Sequence, residues 1–353
     1  MKNNLLFLTL ILLPYILLAQ TVTEEFVVHD GLSRSYILYV PSSYDGTQSV
    51  PLVLNLHGYS SNAGQQMIYS DFYTIADSEG FILIHPQGTI DSNGFQFWNS
   101  STSMINGNNS DIDDVGFLSS LIDSIAFEYN INLDRIYSMG MSNGGFMSYT
   151  LGCMLSDKVA AIASVTGSMT EAQIDFCDPQ NEIPIMQIHG TADPTVLYEG
   201  SSLGFGIESI DNVVSYWVNV NGCNTEPVFN NVPDINLLDL CNAEHYVYSN
   251  GTNNSSVELY KIINGGHTWP GAAIPLFGNN TNQDFNASEK IWEFFNKYDL
   301  NGLINNSSIK DVNDIQHILL KKIDILGRET NQTNQPLFYI YDDGTVKTKY
   351  LIQ

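Results

Sequence analysis

The sequence is poor in basic side chains. Of its 353 residues only 13 are lysine or arginine, against 38 aspartate or glutamate, and the formal net charge is −25. Residues 20–300 carry 32 acidic and 6 basic residues, whereas residues 301–353 carry 6 of each. An acidic surface of this size repels phosphate backbones and anionic membrane surfaces, which excludes nucleic-acid binding. The excess charge favours solubility and indicates no specific cationic partner.

Long hydrophobic runs are also scarce. The exception is residues 1–19, where a short start with Lys2 precedes a leucine-rich stretch that ends at the small residue Ala19. This is the pattern of a secretory signal peptide. A membrane span needs about 20 apolar residues, so the run is short for one, and stable membrane insertion is not expected. No cysteine follows the run, which argues against lipid anchoring. The sequence therefore predicts a secreted protein, extracellular or attached to the cell surface.

Cysteines are few, and their spacing excludes some kinds of site. The four are Cys153, Cys177, Cys223 and Cys241, and no two have the CxxC spacing that is typical of metal and redox sites. An even number in an exported chain predicts two disulfides. Three pairings are open. The sequential one, Cys153–Cys177 with Cys223–Cys241, closes the shortest loops and is the pairing we predict.

Apolar runs that alternate with helical patterns predict an α/β fold. Nearly continuous apolar strands separated by helices indicate a mostly parallel sheet with helices on both faces. Ligands of such sheets bind at the carboxyl ends of the strands. The main strands are predicted at residues 35–40, 52–56, 81–84, 135–139, 160–165, 183–188 and 257–263. Helices are predicted at residues 66–78, 115–129, 145–155, 209–220 and 284–298.

Residues 140–145, GMSNGG, fit the G-x-S-x-G pattern of a nucleophilic serine. They follow a predicted strand and open a predicted helix, which is the context that the pattern requires. Side chains at Gly140 or Gly144 would clash with the neighbouring strand and helix, whereas glycine permits the sharp turn. That turn exposes the Ser142 hydroxyl and directs the start of the helix at the reacting carbonyl. We therefore predict that Ser142 is the nucleophile.

A serine hydroxyl needs a base, and in this hydrolase class an acid and then a histidine follow the serine along the chain. His267 comes after a predicted strand and the flexible pair Gly265-Gly266, so we predict that it is the base. Asp193 lies just past another strand end and is the predicted partner of its second nitrogen. Asp178 and Asp211 are alternative acids. His189 is interpreted as a packing residue at the end of a strand.

The tetrahedral intermediate that forms on a nucleophilic serine needs backbone donors for its oxyanion. The amide of Asn143, directly after the nucleophile, is the first predicted donor. The second is the amide of Tyr59, in the loop that begins at His57, whose own side chain is interpreted as structural. Trp98 and Trp269 lie in loops expected at the strand ends and are predicted to line the substrate cleft, although packing beneath those loops is the alternative.

The acidic run at residues 111–114, DIDD, resembles a calcium loop only superficially. It lacks the spacing and the terminal glutamate of an EF-hand. Acidic residues at the start of a helix are better explained as caps and as partners of the helix dipole. No metal and no cofactor are expected.

Several segments together resemble a known family. They are residues 57–58 (HG), 113–117 (DDVGF), 140–145 (GMSNGG), 189–193 (HGTAD) and 265–271 (GGHTWPG). Their order and spacing resemble those of the polyhydroxybutyrate-depolymerase-like esterases, a group that merges with the feruloyl and acetylxylan esterases of carbohydrate esterase family 1. The resemblance spans residues 25–298. It implies an α/β-hydrolase fold and the same Ser142–Asp193–His267 triad, and it supports the sequential cysteine pairing.

The end of the chain has a different character. Residues 301–309 are predicted to be a linker between an esterase domain at residues 20–300 and a small β domain at residues 310–353. Two segments, IDILGRE at residues 323–329 and YIYDDG at residues 339–344, resemble the type A sorting domain of the type IX secretion system of Bacteroidetes. This resemblance implies an export signal, with the secretion machinery as a partner.

Taken together, the motifs predict a secreted serine esterase that hydrolyses carboxylic esters through an acyl-enzyme on Ser142. The expected substrates are a polyhydroxyalkanoate polymer or oligomer, or feruloyl or acetyl esters on plant polysaccharide. Two alternatives stay open: a serine peptidase with the same triad, and a non-catalytic polymer-binding surface protein. The peptidases generally carry an additional domain for which this chain has no room, and the second alternative requires an incomplete triad.

Overall fold

The computed structural model describes residues 20–101, 111–202, 206–273, 279–304, 319–323, 328, 336–341 and 346–350. The chain divides into two compact units between Ile304 and Asn305. The predicted signal peptide at residues 1–19 lies outside the described residues, as do residues 305–309 of the predicted linker and most of the sorting-domain segments. Within the described ranges, no helix is both long enough and apolar enough to span a membrane.

Ten strands of the first unit form one sheet, whose order is β1-β2-β4-β3-β7-β8-β9-β12-β11-β10. Its central strands, from β4 to β12, are parallel, and the outer strands on either side are antiparallel. The predicted mostly parallel sheet is confirmed. The strands of the chain are β1 (Thr21–His29), β2 (Leu32–Val40), β3 (Val50–Leu56), β4 (Ile82–Pro86), β5 (Thr89–Ile90), β6 (Gln96–Phe97), β7 (Ile131–Met141), β8 (Ala161–Val165), β9 (Ile185–Gly190), β10 (Val228–Asn231), β11 (Asn242–Tyr248), β12 (Val257–Ile263), β13 (Tyr298–Asp299), β14 (Gly302–Leu303), β15 (Leu319–Ile323), β16 (Pro336–Tyr341) and β17 (Val346–Tyr350).

Helices cover both faces of the sheet, as predicted. They are α1 (Ala63–Ser70), α2 (Phe72–Glu79), α3 (Asp114–Glu128), α4 (Asn143–Met154), α5 (Glu171–Phe176), α6 (Ile210–Val220) and α7 (Ala287–Phe295), with one 3₁₀ turn at Thr252–Asn254. Along β3, Leu52 and Leu54 pack in one apolar cluster with α3 and α4, whereas Val53 packs in another with α2 and α7. The alternation of side chains along a strand therefore places a separate core on each face.

The boundary of the first unit corrects the predicted domain limits. Residues 301–304, predicted to belong to the linker, belong to the first unit. Strand β14 pairs with β13, and the Ile304 amide donates to the Lys297 carbonyl at 2.8 Å. The second unit is described as one antiparallel sheet in the order β15-β16-β17. These three short strands lie within the small β domain predicted at residues 310–353.

The cysteines follow only half of the predicted pairing. Cys153 and Cys177 form a disulfide across 24 residues. The predicted Cys223–Cys241 bond is wrong: both are free and buried. Cys223 packs with Leu259 and Cys241 packs with Tyr260, in different apolar clusters. Because successive residues of a strand point to opposite faces, the sheet stands between the two thiols.

Candidate active site

Ser142 lies between the end of β7 and the start of α4, on a strained turn. Its backbone angles are φ 54° and ψ −119°, a region that residues other than glycine adopt only where the surroundings enforce it. The Ser142 amide donates to the Val165 carbonyl of β8 at 2.8 Å, and its carbonyl accepts from the amides of Gly145 and Phe146. The neighbouring strand and the following helix thus hold the turn that presents the hydroxyl.

The two glycines of the motif are required by close packing. A Cβ atom at Gly140 would overlap the backbone of Gly144, and one at Gly144 would overlap the carbonyl of Leu56 in β3. The predicted clash with the neighbouring strand and helix is therefore confirmed. The first turn of α4 lies directly on the end of β3 because neither glycine carries a side chain.

Asp193 and His267 meet at the same edge of the sheet. Asp193 follows β9, His267 follows β12, and these strands are parallel neighbours. Nδ1 of His267 lies 2.7 Å from Oδ2 of Asp193, while Oδ1 accepts the amides of Thr195 and Val196 at 2.8 and 2.9 Å. Asp193 is buried and His267 is 8% exposed. Asp193, rather than the alternative acids Asp178 and Asp211, is the carboxylate that reaches the histidine.

A second histidine fixes this carboxylate. His189 is fully buried, and its Nε2 lies 2.8 Å from the Val196 carbonyl and 3.4 Å from Oδ2 of Asp193. Burial by itself raises the pKa of Asp193, but the hydrogen bonds and charges of His189 and His267 hold it well below its usual range. An ionised Asp193 can only accept, so Nδ1 of His267 carries a hydrogen and Nε2 is left as the basic nitrogen.

The loop that carries His267 is held by hydrogen bonds to two other parts of the chain. The amide of Gly266 donates to the Asn280 carbonyl at 3.0 Å. The Trp269 amide donates to the Tyr69 hydroxyl at 3.1 Å, and the Trp269 indole donates to the Ser288 hydroxyl at 3.0 Å. The ring and the Ser142 hydroxyl are not hydrogen-bonded to each other within the described residues, and catalytic contacts of this kind often tighten only when a substrate completes the site.

The structure corrects the roles predicted for the two tryptophans. Trp98 is 0% exposed, and its indole donates to the His57 carbonyl at 3.0 Å. Trp269 is 1% exposed and is bonded to Ser288. Both side chains are packed beneath the loops, which was the alternative interpretation, and neither is exposed to line a cleft. Large indoles with a hydrogen-bonded N–H are characteristic packing residues.

The loop after β3 carries the second predicted oxyanion donor. Tyr59 is half-buried, and its hydroxyl donates to Asp91 at 2.8 Å. His57 is fully buried, and its Nε2 accepts from the Gly88 amide at 2.9 Å while Nδ1 lies 2.8 Å from the Gly58 carbonyl. Burial lowers the pKa of His57 to about 4, so the ring is neutral at physiological pH. His57 shapes this loop, in agreement with its structural interpretation.

The acidic run at the start of α3 forms caps and an ion pair. Asp113 is the N-cap and accepts from the Gly116 amide, as the capping interpretation predicts. Asp114 is buried and pairs with Arg34 at 2.7 Å. His29, Asp30 and Asp113 offer ligand atoms within 4.8 Å of one another, but Asp30 and Asp113 are exposed. Within the described residues this is the cluster that could hold a metal ion, and it shares no residue with the Asp193–His267 pair.

Several residues of the site escaped the sequence interpretation. The Asn143 side chain holds the main chain of Trp98, and Gln187 lies 3.0 Å from Nδ1 of His189. The sequence analysis used only the backbone amide of Asn143 and gave its side chain no role, and Gln187 belongs to none of the motifs. The one signal available was His189 itself, because a histidine four residues before the predicted acid is close enough to contact it.

Similarity to known proteins agrees with this geometry. Residues 34–201 match the family described as Esterase PHB depolymerase. The chain is 31% identical over 242 residues to feruloyl esterase B of Piromyces equi, which covers 66% of the chain and 42% of that protein. It is 31% identical over 176 residues to a bifunctional acetylxylan esterase/xylanase of Neocallimastix patriciarum, which covers 50% of the chain and 24% of that protein. The chain thus spans less than half the length of either relative.

A solved structure establishes the fold. The acetyl xylan esterase from Aspergillus awamori superposes with a TM-score of 0.52 at 14% identity, over 78% of this chain and 99% of that one. Together with the parallel sheet and the strand–serine–helix turn, this likeness identifies the α/β-hydrolase fold. The predicted fold class is confirmed.

Proposed function

Since residues 34–201 belong to the PHB-depolymerase-like esterase family, we propose that this chain is a serine esterase that hydrolyses carboxylic esters. One observation carries the proposal. A serine on a strained turn after β7 shares a sheet edge with a histidine whose Nδ1 lies 2.7 Å from a buried carboxylate. The strand order β7-β8-β9-β12 brings the ends of the three strands that precede Ser142, Asp193 and His267 to that edge.

The reaction starts with proton transfer. Nε2 of His267 takes the proton of the Ser142 hydroxyl as the oxygen attacks the ester carbonyl. Asp193 accepts the Nδ1 hydrogen, holds the tautomer and stabilises the imidazolium. The protonated His267 then gives its proton to the leaving alcohol, and an acyl ester remains on Ser142. Water, deprotonated by the same nitrogen, attacks this acyl ester. The bond between the acyl carbon and the Ser142 oxygen then breaks, His267 returns the proton to that oxygen, and the acid is released.

The charge that develops on the carbonyl oxygen needs fixed donors. We assign the Asn143 amide, at the start of α4, as one donor and the Tyr59 amide as the other. The start of a helix is a favourable place for an anion because its first N–H groups have no partner within the helix. The loss of one such donor typically costs about 100- to 1,000-fold in kcat.

The names of the relatives and of the matched family support a proposal for the substrate class. They are named for feruloyl and acetylxylan esters and for polyhydroxybutyrate. We propose esters of plant polysaccharide or of a hydroxyalkanoate polymer or oligomer. Export by way of residues 1–19 and type IX sorting through residues 310–353 belong to the same proposal. The Cys153–Cys177 disulfide supports an oxidising compartment.

Product analysis on feruloylated arabinoxylan, acetylated xylan and polyhydroxybutyrate, side by side, tests the proposal. Chromogenic esters and peptides complete the panel, and Ser142→Ala is the control. We expect release of ferulate, acetate or hydroxybutyrate by the wild type and none by the variant. Cleavage of peptides alone would establish a peptidase. Polymer binding without hydrolysis of any ester would leave a non-catalytic surface protein.

A further inference from the structure

One residue joins the two segments that carry the proposed oxyanion donors. Trp98 follows the short strand β6, and its amide donates to Oδ1 of Asn143 at 2.6 Å, while Nδ2 of Asn143 donates to the Trp98 carbonyl at 3.1 Å. The indole of Trp98 donates to the carbonyl of His57 at 3.0 Å, in the loop that leads to Tyr59. Trp98 is therefore bonded to the start of α4 and to the end of β3.

Asn99, the next residue, is held in place by a buried ion pair. The amide of Asn99 donates to Oδ2 of Asp114 at 2.8 Å, and Oδ1 of the same carboxylate accepts from Arg34 at 2.7 Å. The Arg34 guanidinium also donates to the Gln87 carbonyl at 3.2 Å and lies 3.8 Å above the ring of Phe117. Both charged groups are buried. A buried ion pair whose groups also make hydrogen bonds to the main chain is held rigidly, and it holds the Asn99 backbone with it.

We propose that Trp98 is a brace for the oxyanion hole and that the Asn143 side chain is the positioning group that fixes the distance between the two donors. The inference rests on the esterase function proposed above. The Asn143 side chain touches no reacting atom. It binds both polar groups of one peptide segment, and this prevents the first turn of α4 from moving relative to the loop after β3.

The physical reason is that oxyanion stabilisation depends on donors that are already in place. A donor that must first move into position stabilises the oxyanion much less. A shift of about 1 Å at a reacting centre lowers the rate by up to about 100-fold. Such a shift lowers kcat and leaves ground-state binding unchanged, because the oxyanion exists only in the transition state. A purely structural role would change the melting temperature and nothing else.

Asn143→Ala tests the proposal, and Asn221→Ala is a matched control. Asn221 is also buried, and its side chain makes the same two hydrogen bonds to a main chain. Its Oδ1 accepts from the Ile183 amide at 3.2 Å, and its Nδ2 donates to the Ile183 carbonyl at 2.8 Å. We expect both variants to melt at a lower temperature. Only Asn143→Ala should lower kcat, by about 10- to 100-fold, with KM within about threefold. The affinity for phenylboronic acid, which forms a tetrahedral adduct on serine, should fall by the same factor as kcat.

Trp98→Phe tests the brace from its other side, since it keeps a buried ring and removes the indole bond to His57. One neutral hydrogen bond corresponds to a loss of about 3- to 10-fold in kcat. Folded variants whose kcat equals that of Asn221→Ala would overturn the brace, as would a kcat loss with unchanged boronate affinity. A wild type without Ser142-dependent hydrolysis would instead remove the proposed function, and the inference with it.

Discussion

Oδ2 of Asp193 lies 2.7 Å from Nδ1 of His267, although the two residues are 74 positions apart in the chain. The contact forms because the parallel strands β9 and β12 end side by side. A third group, Nε2 of His189, lies 3.4 Å from the same oxygen. The carboxylate is thus shared between His189, which is buried in β9, and His267, which lies in the loop after β12.

This relationship predicts the effect of Asp193→Asn. Without a carboxylate, His267 loses its fixed tautomer and the charge that stabilises the imidazolium, and we expect kcat to fall by about 10,000-fold with the protein still folded. The double variant with Ser142→Ala should be no slower than Ser142→Ala alone, because the triad acts as a unit. Asp211→Asn, the alternative acid, is the control and should keep wild-type kcat. Near wild-type turnover by Asp193→Asn would show that another group orients His267.

The cysteines make a second prediction. Peptide mapping without reduction should find Cys153 joined to Cys177 and the other two cysteines as free thiols. Burial raises the pKa of Cys241 to about 12, so this thiol should react with iodoacetamide only after unfolding. Replacement of Cys153 and Cys177 by alanine should lower the free energy of unfolding by about 3 kcal/mol. A Cys223–Cys241 link in the mapped protein would contradict the structure.

A third prediction concerns His85, a fully buried ring in β4 whose nitrogens make no hydrogen bond of standard geometry among the described residues. Burial lowers its pKa to about 3, against about 6.5 in an unfolded chain. Between these values the unfolded chain binds a proton that the folded chain does not, so stability is lost as the pH falls from about 6.5 towards 3.

His85→Leu should therefore stabilise the protein by about 1–2 kcal/mol at pH 7, because a polar ring without a well-formed hydrogen bond leaves the core. At pH 5 the gain should be larger by about 2 kcal/mol, since the depressed histidine no longer opposes folding there. Urea unfolding at the two pH values measures both effects. An identical gain at pH 7 and pH 5 would show that His85 does not contribute to acid sensitivity.

The fourth prediction places the end of the catalytic unit. A chain that ends at Ile304 should keep full kcat on a small soluble ester and a similar melting temperature. A chain that ends at Tyr298 lacks β14 and the bond from the Leu300 amide to the Asp134 carbonyl at 2.9 Å. We expect it to lose about 2 kcal/mol of stability, in line with the loss of a few backbone hydrogen bonds. Loss of activity on truncation at Ile304 would make the second unit part of the catalytic domain.

In the native host, the same Ile304 truncation tests the sorting proposal. The truncated chain should accumulate in the periplasm, whereas the full chain should reach the medium or the cell surface. Fractionation followed by assay on the soluble ester measures this. Equal export of the two forms would remove the sorting role of residues 310–353.

The sequence by itself determined the strand–serine–helix turn and several of the strands around it. Ser142 is set by a local rule, since a sharp turn between strand and helix requires glycine at positions 140 and 144. The predicted strand at residues 257–263 coincides with β12, because a segment rich in β-branched and aromatic residues is a local pattern. The single helix predicted at residues 66–78 is two helices, α1 and α2, because Asp71 adopts φ 50°. The pattern of apolar residues does not predict such a change in backbone angle.

Only the tertiary structure decided which side chains face solvent and which partners meet across the sheet. Trp98 and Trp269 stand in loops, yet both are buried, because other segments cover them. Cys223 and Cys241 are near in sequence, but the sheet separates them. The contact of His189 with Asp193 and the brace at Trp98 join residues brought together by the order of strands. Such contacts depend on several segments at once, whereas a sequence motif reports one segment at a time.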